Sequence, residues 1–192
     1  MDDGLARCWW AAGAPPDPLM REYHDVEWGT PVDGDAELFE RLMLEGFQAG
    51  LSWRTILHKR PAFRAAFDGF EPVRVAAFGA ADRERLLADA GIVRNRQKID
   101  ATIGNAAASL RLIDEFGSLA GYFAHLVPPP PRPLPSDAQP GEIPVTTPDA
   151  ARLSRDLAQR GFRFVGPTIV YSFMQSVGLV DDHLPMCFRY RR

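Results

Sequence analysis

Two cysteines and two histidines stand at opposite ends of this chain: Cys8 and His24 near the start, His183 and Cys187 near the end. One thiol and one imidazole at each end make a Cys2His2 set. That is the donor composition of a closed, tetrahedral structural zinc site, with no open position for a catalytic water. Pro185 disfavours a regular helix across His183 and Cys187, so this pair is expected on a tight loop. Zinc-finger ligand pairs lie close in sequence, and these do not. The plain alternative makes both thiols small buried hydrophobes and both imidazoles hydrogen-bonded core or surface groups. As a clamp, the set would tie the two ends of the chain together. Closing so long a loop costs only about a few kcal/mol of entropy, against ~10 kcal/mol or more from zinc binding.

A second constellation lies in residues 44–53, Leu-Glu-Gly-Phe-Gln-Ala-Gly-Leu-Ser-Trp. On a helical projection Glu45 sits at the edge of an apolar stripe that includes Leu38 and Leu42. A half-buried carboxylate is costly unless a cation or hydrogen-bond donors meet it. Trp53, with Tyr23 and Trp28 from residues 23–29, supplies flat apolar faces, and Gly46 and Gly50 allow close approach. Acid plus aromatic walls is a receptor for a planar cation. The competing reading puts the rings in the core and caps Glu45 with a local arginine such as Arg41.

The third constellation is residues 86–94, Leu-Leu-Ala-Asp-Ala-Gly-Ile-Val-Arg, which predicts a helix end, a tight turn at Gly91 and a new helix start. A positive φ at Gly91 would cost nothing, and free amides at the following helix start suit a phosphate oxygen. Arg94, Arg96 and Lys98 put cations at the same end. An ordinary helix connection with a solvated basic start reads the same way.

The elements that must carry these groups are helical. Apolar spacing predicts helices over residues 35–48, 53–59, 61–67, 72–78, 81–88 and 94–116, then one opening at Thr147-Pro148 and ending at Gly161, and one from Pro167 to about Gly178. No sustained strand alternation is present, so the fold class is all-α. Seven of the 17 prolines fall in residues 128–140, and 128–131 are expected to form an extended polyproline II spacer. With 192 residues, 46% hydrophobic and 24% charged, the chain can bury a sizeable core. A net charge of −3 excludes coating nucleic acid by charge alone, but leaves room for a local basic face. Two cysteines make no disulfide framework, the acidic start lacks a secretory pattern, and no run is long and apolar enough to cross a bilayer. A cytoplasmic location is expected.

Taken together, six blocks resemble the 3-methyladenine DNA glycosylase I family of the helix–hairpin–helix glycosylase superfamily. They are Cys8-Trp9-Trp10 and residues 23–29, 44–53, 89–99, 161–175 and 182–187, in the family's order. Each carries different chemistry, so one accidental match could not supply the rest. The resemblance implies a helix–hairpin–helix core over 32–116, terminal segments 1–31 and 140–192 joined by structural zinc on Cys8, His24, His183 and Cys187, and a proline-rich loop over 127–140. It implies that Glu45 hydrogen-bonds the excised base, with Tyr23 and Trp53 stacking on it and Trp28 and Tyr171 in or near the pocket wall. Gln48 and Leu51 become candidates to fill the gap left by an extruded nucleotide, and the Gly91 hairpin to grip phosphates. The partner implied is double-stranded DNA carrying an alkylated purine, and the chain is expected to act as a monomer. Trp9 replaces a usually small residue, Met20 an aromatic, and the Cys8–His24 spacing is lengthened near Pro15-Pro16, which bears on the pocket rim. Two rivals are a catalytically silent damage-binding protein of the same fold and an unrelated metal-dependent hydrolase.

Overall fold

The structure, a computed structural model, describes residues 4–13, 15–127 and 133–190. The polyproline stretch 128–131 therefore lies outside the described residues. Among the described residues nine α-helices follow in order: α1 Pro18–Glu22, α2 Asp35–Gln48, α3 Trp53–Ala66, α4 Pro72–Ala76, α5 Ala80–Ala88, α6 Arg96–Phe116, α7 Leu119–Leu126, α8 Pro148–Gln159 and α9 Pro167–Ser176. A π-helical turn, Tyr23–Glu27, continues α1, and the described residues hold no strand beyond one bridge between Pro133 and Asp181. None of the described helices is long and apolar enough to cross a membrane.

Helix α2 is the centre of the molecule. It packs on α3, α6, α7 and α9, and its residues from Leu38 to Phe47 are all buried. The amphipathic stripe read from the sequence therefore understates it, because partners on every side bury its polar positions as well. Glu40 is one such residue, and Arg64 of α3 meets its carboxylate at 2.8 Å. The main apolar core gathers around Phe39, Leu44, Phe47, Phe63, Ile99 and Phe173. A smaller cluster of Cys8, Tyr23, Trp28, Leu57, Leu184 and Cys187 joins the two ends of the chain.

Three local expectations change. The predicted break at Pro61 is absent, and α3 runs through it. The ring faces solvent while Leu57 and Phe63 on either side are fully buried. Each such burial is worth roughly 1.5–3 kcal/mol, which together offset the ~3 kcal/mol of an interior proline. Helix α6 opens at Arg96 rather than Arg94, because the Asn95 side chain accepts a hydrogen bond from the N–H of Lys98 and caps it. Helix α7 was not anticipated; Ser118 caps it through the N–H of Gly121, and Leu119, Tyr122 and Phe123 bury its face.

Candidate active site

Helix α2 delivers Glu45 to the wall of a cavity of about 410 Å³. The residue is 5% exposed, and its carboxylate accepts no hydrogen bond from the described residues. Arg41, one turn earlier, directs two of its three nitrogens elsewhere: its Nη2 donates to Glu37 at 2.6 Å and lies 3.0 Å from Glu27, and its Nη1 donates to the Ser176 carbonyl at 3.3 Å, while its buried Nε has no partner. The arginine cap weighed for Glu45 is thus not formed. Burial pushes the Glu45 pKa up to about 8, and the charge of Arg41 offsets only part of that.

Aromatic rings complete the wall. Tyr23 and Trp53 stand 5.2 Å apart at a tilt of 47°, and Trp28 and Tyr171 line the same space. The Tyr23 hydroxyl makes no hydrogen bond among the described residues, and the buried Nε1 of Trp53 has no partner. Leaving a buried donor unsatisfied costs about 1–3 kcal/mol. A carboxylate left open on the wall of a ring-lined cavity points to a visitor that brings the missing partners. Tyr171, by contrast, donates to Asp182 at 2.5 Å, beside a 2.7 Å bond from Gln175. At the end of α2, Gln48 lines the cavity, and a turn with Gly50 at φ +82° leaves Leu51 exposed beyond it.

The four candidate ligands do come together. Cys8, His24, His183 and Cys187 are buried, with donor atoms all within 4.8 Å of one another. Cys187 Sγ lies 3.4 Å from His24 Nε2 and 3.6 Å from His183 Nδ1, and Cys8 Sγ lies 3.8 Å from His183 Nδ1. Bonds of 2.0–2.3 Å to a tetrahedral zinc require ligand separations of about 3.3–3.8 Å, and these three separations fall in that range. The surrounding groups fit as well. His24 donates from Nδ1 to Asp25 at 2.8 Å, which Arg7 holds in turn, and His183 donates from Nε2 to the Trp28 carbonyl at 3.2 Å. The N–H groups of Leu184 and Arg189 point at the two sulfurs.

The hairpin differs from expectation in two residues. Gly91 is not among the positive-φ glycines. A side chain is excluded there for another reason: a Cβ would stand 2.9 Å from Ala62 Cβ and from Asp89 Oδ1. Its N–H is taken by Asp89 at 2.7 Å, and its carbonyl by Lys59 at 3.0 Å, so that amide is not free for a phosphate. Lys98 is buried, and its ammonium donates to the carbonyls of Phe47 and Ala49 at 2.9 and 2.7 Å. It closes the end of α2 rather than facing solvent. Arg94 and Arg96 are exposed.

Comparison with known proteins decides the family. A model of the methyladenine glycosylase family matches residues 10–190. The chain is 46% identical over 186 residues to DNA-3-methyladenine glycosylase 1 of Escherichia coli (strain K12), covering 97% of each. The chain belongs to the methyladenine glycosylase family. Its likeness extends to the DNA-3-methyladenine glycosylase of Haemophilus influenzae (strain ATCC 51907 / DSM 11121 / KW20 / Rd), 38% identical over 94% of this chain and 96% of that one. Among solved structures, a 3-methyladenine DNA glycosylase I superposes with a TM-score of 0.89 at 45% identity, over 97% of this chain and 100% of that one. The Staphylococcus aureus enzyme, described for its recognition of 3-methyladenine, superposes with a TM-score of 0.89 at 37% identity, over 95% and 96%.

This family member lines its cavity with residues that the sequence reading did not single out. Trp10 stands 5.2 Å from Trp28, edge-on at 76°. Thr168, Ser172 and Gln175 present one face of α9, and their spacing of four and three residues was a readable signal. Pro140, Ile143, Pro144 and Val145 close the rim, so the end of the proline-rich loop is more than a spacer. Trp9 stays 62% exposed at the mouth, and Met20 lines the cavity.

Proposed function

We propose that this chain is a monofunctional DNA repair glycosylase that excises 3-methyladenine from alkylated double-stranded DNA and leaves an abasic site. The observation that carries this reading is the unpartnered Glu45 in a ring-walled cavity large enough for a purine. The target nucleotide must first leave the base stack to reach that cavity. Methylation at N3 gives the purine a positive charge in DNA. That charge attracts the carboxylate and the ring faces together, and it stabilises ionised Glu45 where a neutral adenine does not.

The cation is also a good leaving group. When the N-glycosidic bond breaks, its electron pair moves onto the base and cancels the charge. Water then adds to C1′ of the oxocarbenium-like sugar and gives up a proton. The chain's residues bind and orient; no general acid and no Schiff-base lysine is required. Leu51 and Gln48 fill the place of the extruded nucleotide, while Arg94 and Arg96 of the helix–hairpin–helix element hold phosphates. Zinc on Cys8, His24, His183 and Cys187 is structural: it clamps segments 1–31 and 140–192 and supplies no chemistry to the base.

The test is incubation with alkylated duplex DNA and chromatography of the released bases. Free 3-methyladenine is expected, and Glu45→Gln is expected to slow its release about 10²–10³-fold through loss of a charged contact. Correctly folded wild-type protein that binds such DNA yet releases no base would overturn the proposal.

A further inference from the structure

Among the described residues only two buried side-chain polar atoms lack a hydrogen-bond partner, Trp53 Nε1 and Arg41 Nε. Arg41 stands on α2 one turn before Glu45, a spacing that makes side chains neighbours on a helix. Helical side chains lean toward the N-terminus, which sets the Glu45 carboxylate over the turn that carries Arg41. The guanidinium carbon of Arg41 lies 5.9 Å from the centre of the Tyr23 ring, the same ring that walls the base cavity.

The contacts that Arg41 makes are weak reasons for burying it. Arg60 already holds Glu27 at both oxygens, at 2.6 and 2.7 Å. Glu37 is 47% exposed and open to water. A buried arginine with a nitrogen unmet lowers stability. The other basic groups packed about α2 are spent elsewhere. On α3, Arg54 and His58 meet Asp17, Lys59 meets the Ala90 and Gly91 carbonyls, and Arg64 meets Glu40. Lys98 of α6 meets the Phe47 and Ala49 carbonyls. Tyr122 and His125 of α7 meet Asp156 and Phe116. The cavity itself adds Tyr23 and Tyr171, the latter donating to Asp182. Burial disfavours the Glu45 charge, and among all these groups only Arg41 works against that.

A carboxylate on a buried wall resists ionising. A direct salt bridge would relieve this, but it would fill the oxygens that a guest must use. A cation tethered one turn away supplies charge and leaves those oxygens open. Resting on the base-excision reading, we infer that Arg41 is a positioning residue: its buried guanidinium, held off by Glu27 and Glu37 beside the Tyr23 ring, favours the ionised, open form of the Glu45 carboxylate that receives a cationic base.

The test is a carbon NMR titration of the Glu45 carboxyl, assigned by its loss in Glu45→Gln, in wild type, Arg41→Met, Arg41→Gln and Arg41→Lys. The midpoint should stand at about 8 in wild type. It should rise by about one pH unit in both neutral variants and return close to wild type in Arg41→Lys. Release of base from alkylated duplex DNA should be about tenfold slower in Arg41→Met near pH 7, narrowing to less than about twofold near pH 9.5, where Glu45 ionises in both proteins. An unchanged midpoint in the neutral variants or an equal loss of activity at both pH values would overturn the inference. So would failure of both neutral variants to fold, which would make Arg41 a structural residue. The titration needs no substrate, so a wild type that releases no base would sink the excision reading and leave the midpoints to judge Arg41.

Discussion

The base cavity and the Cys/His cluster share one wall and are finished in opposite ways. Tyr23 faces the cavity and His24, the next residue, enters the cluster. Trp28 lines the cavity with its ring and accepts a hydrogen bond from His183 with its carbonyl. Around the cluster, His24 has Asp25, Asp25 has Arg7, and each sulfur has a backbone N–H. On the cavity wall, the Glu45 carboxylate accepts no hydrogen bond from the described residues. A site for a resident ion can complete its outer shell at folding, since its occupant never leaves. A site for a transient guest must leave polar atoms open, because any internal partner would compete with that guest. The open atoms cost stability, and that cost sets up selectivity.

Three measurements bear on this contrast, the strongest effect first. Cys187→Ser removes a thiolate from the proposed zinc set. Metal analysis should fall from about one zinc per chain toward none, and the thermal midpoint should drop by about 10 °C or more, as the loss of several kcal/mol implies for a chain of this size. Retention of full zinc and an unshifted midpoint would remove the resident-ion half of the comparison.

The second measurement concerns the cavity and works through pH. Folded Glu45 keeps its proton up to about pH 8, whereas its ordinary value is 4.5. Between those values the folded state binds more protons than the unfolded, so stability declines as pH rises through that window. Glu45→Gln removes the penalty. Its stability advantage over wild type should be small near pH 5 and grow to about 5 kcal/mol near pH 9, at about 1.4 kcal/mol per pKa unit over the shift from 4.5 to about 8. Parallel stability curves for the two proteins would mean that Glu45 is already partnered.

The smallest effect tests the outer shell. Asp25→Asn keeps the side chain's shape but weakens its hold on the His24 ring. Zinc affinity, measured by competition with a chromophoric chelator, should fall about 10–100-fold. An unchanged affinity would make Asp25 a partner of Arg7 alone.

Legibility in the sequence followed the range of the forces involved. Helix α2 was bounded correctly at Asp35 and Gln48 and α9 at its opening Pro167, because periodicity and capping are local signals. The Pro61 break failed because burial of Leu57 and Phe63 by distant helices outweighed a local rule. The sequence suggests conformational freedom as the reason for Gly91, yet what requires glycine there is the approach of Ala62 from another helix. Lys98 looked like a phosphate ligand because nothing local revealed that the end of α2, about fifty positions back, would need its ammonium.

Residue type and short spacing suffice for the helical class, the donor chemistry at each end of the chain and the pairing of an acid with aromatics. Which polar atoms are satisfied is set by the packing of distant segments. Whether Glu45 stays open and Lys98 is spent depends on which groups from remote segments arrive at each side chain, and that is a property of packing.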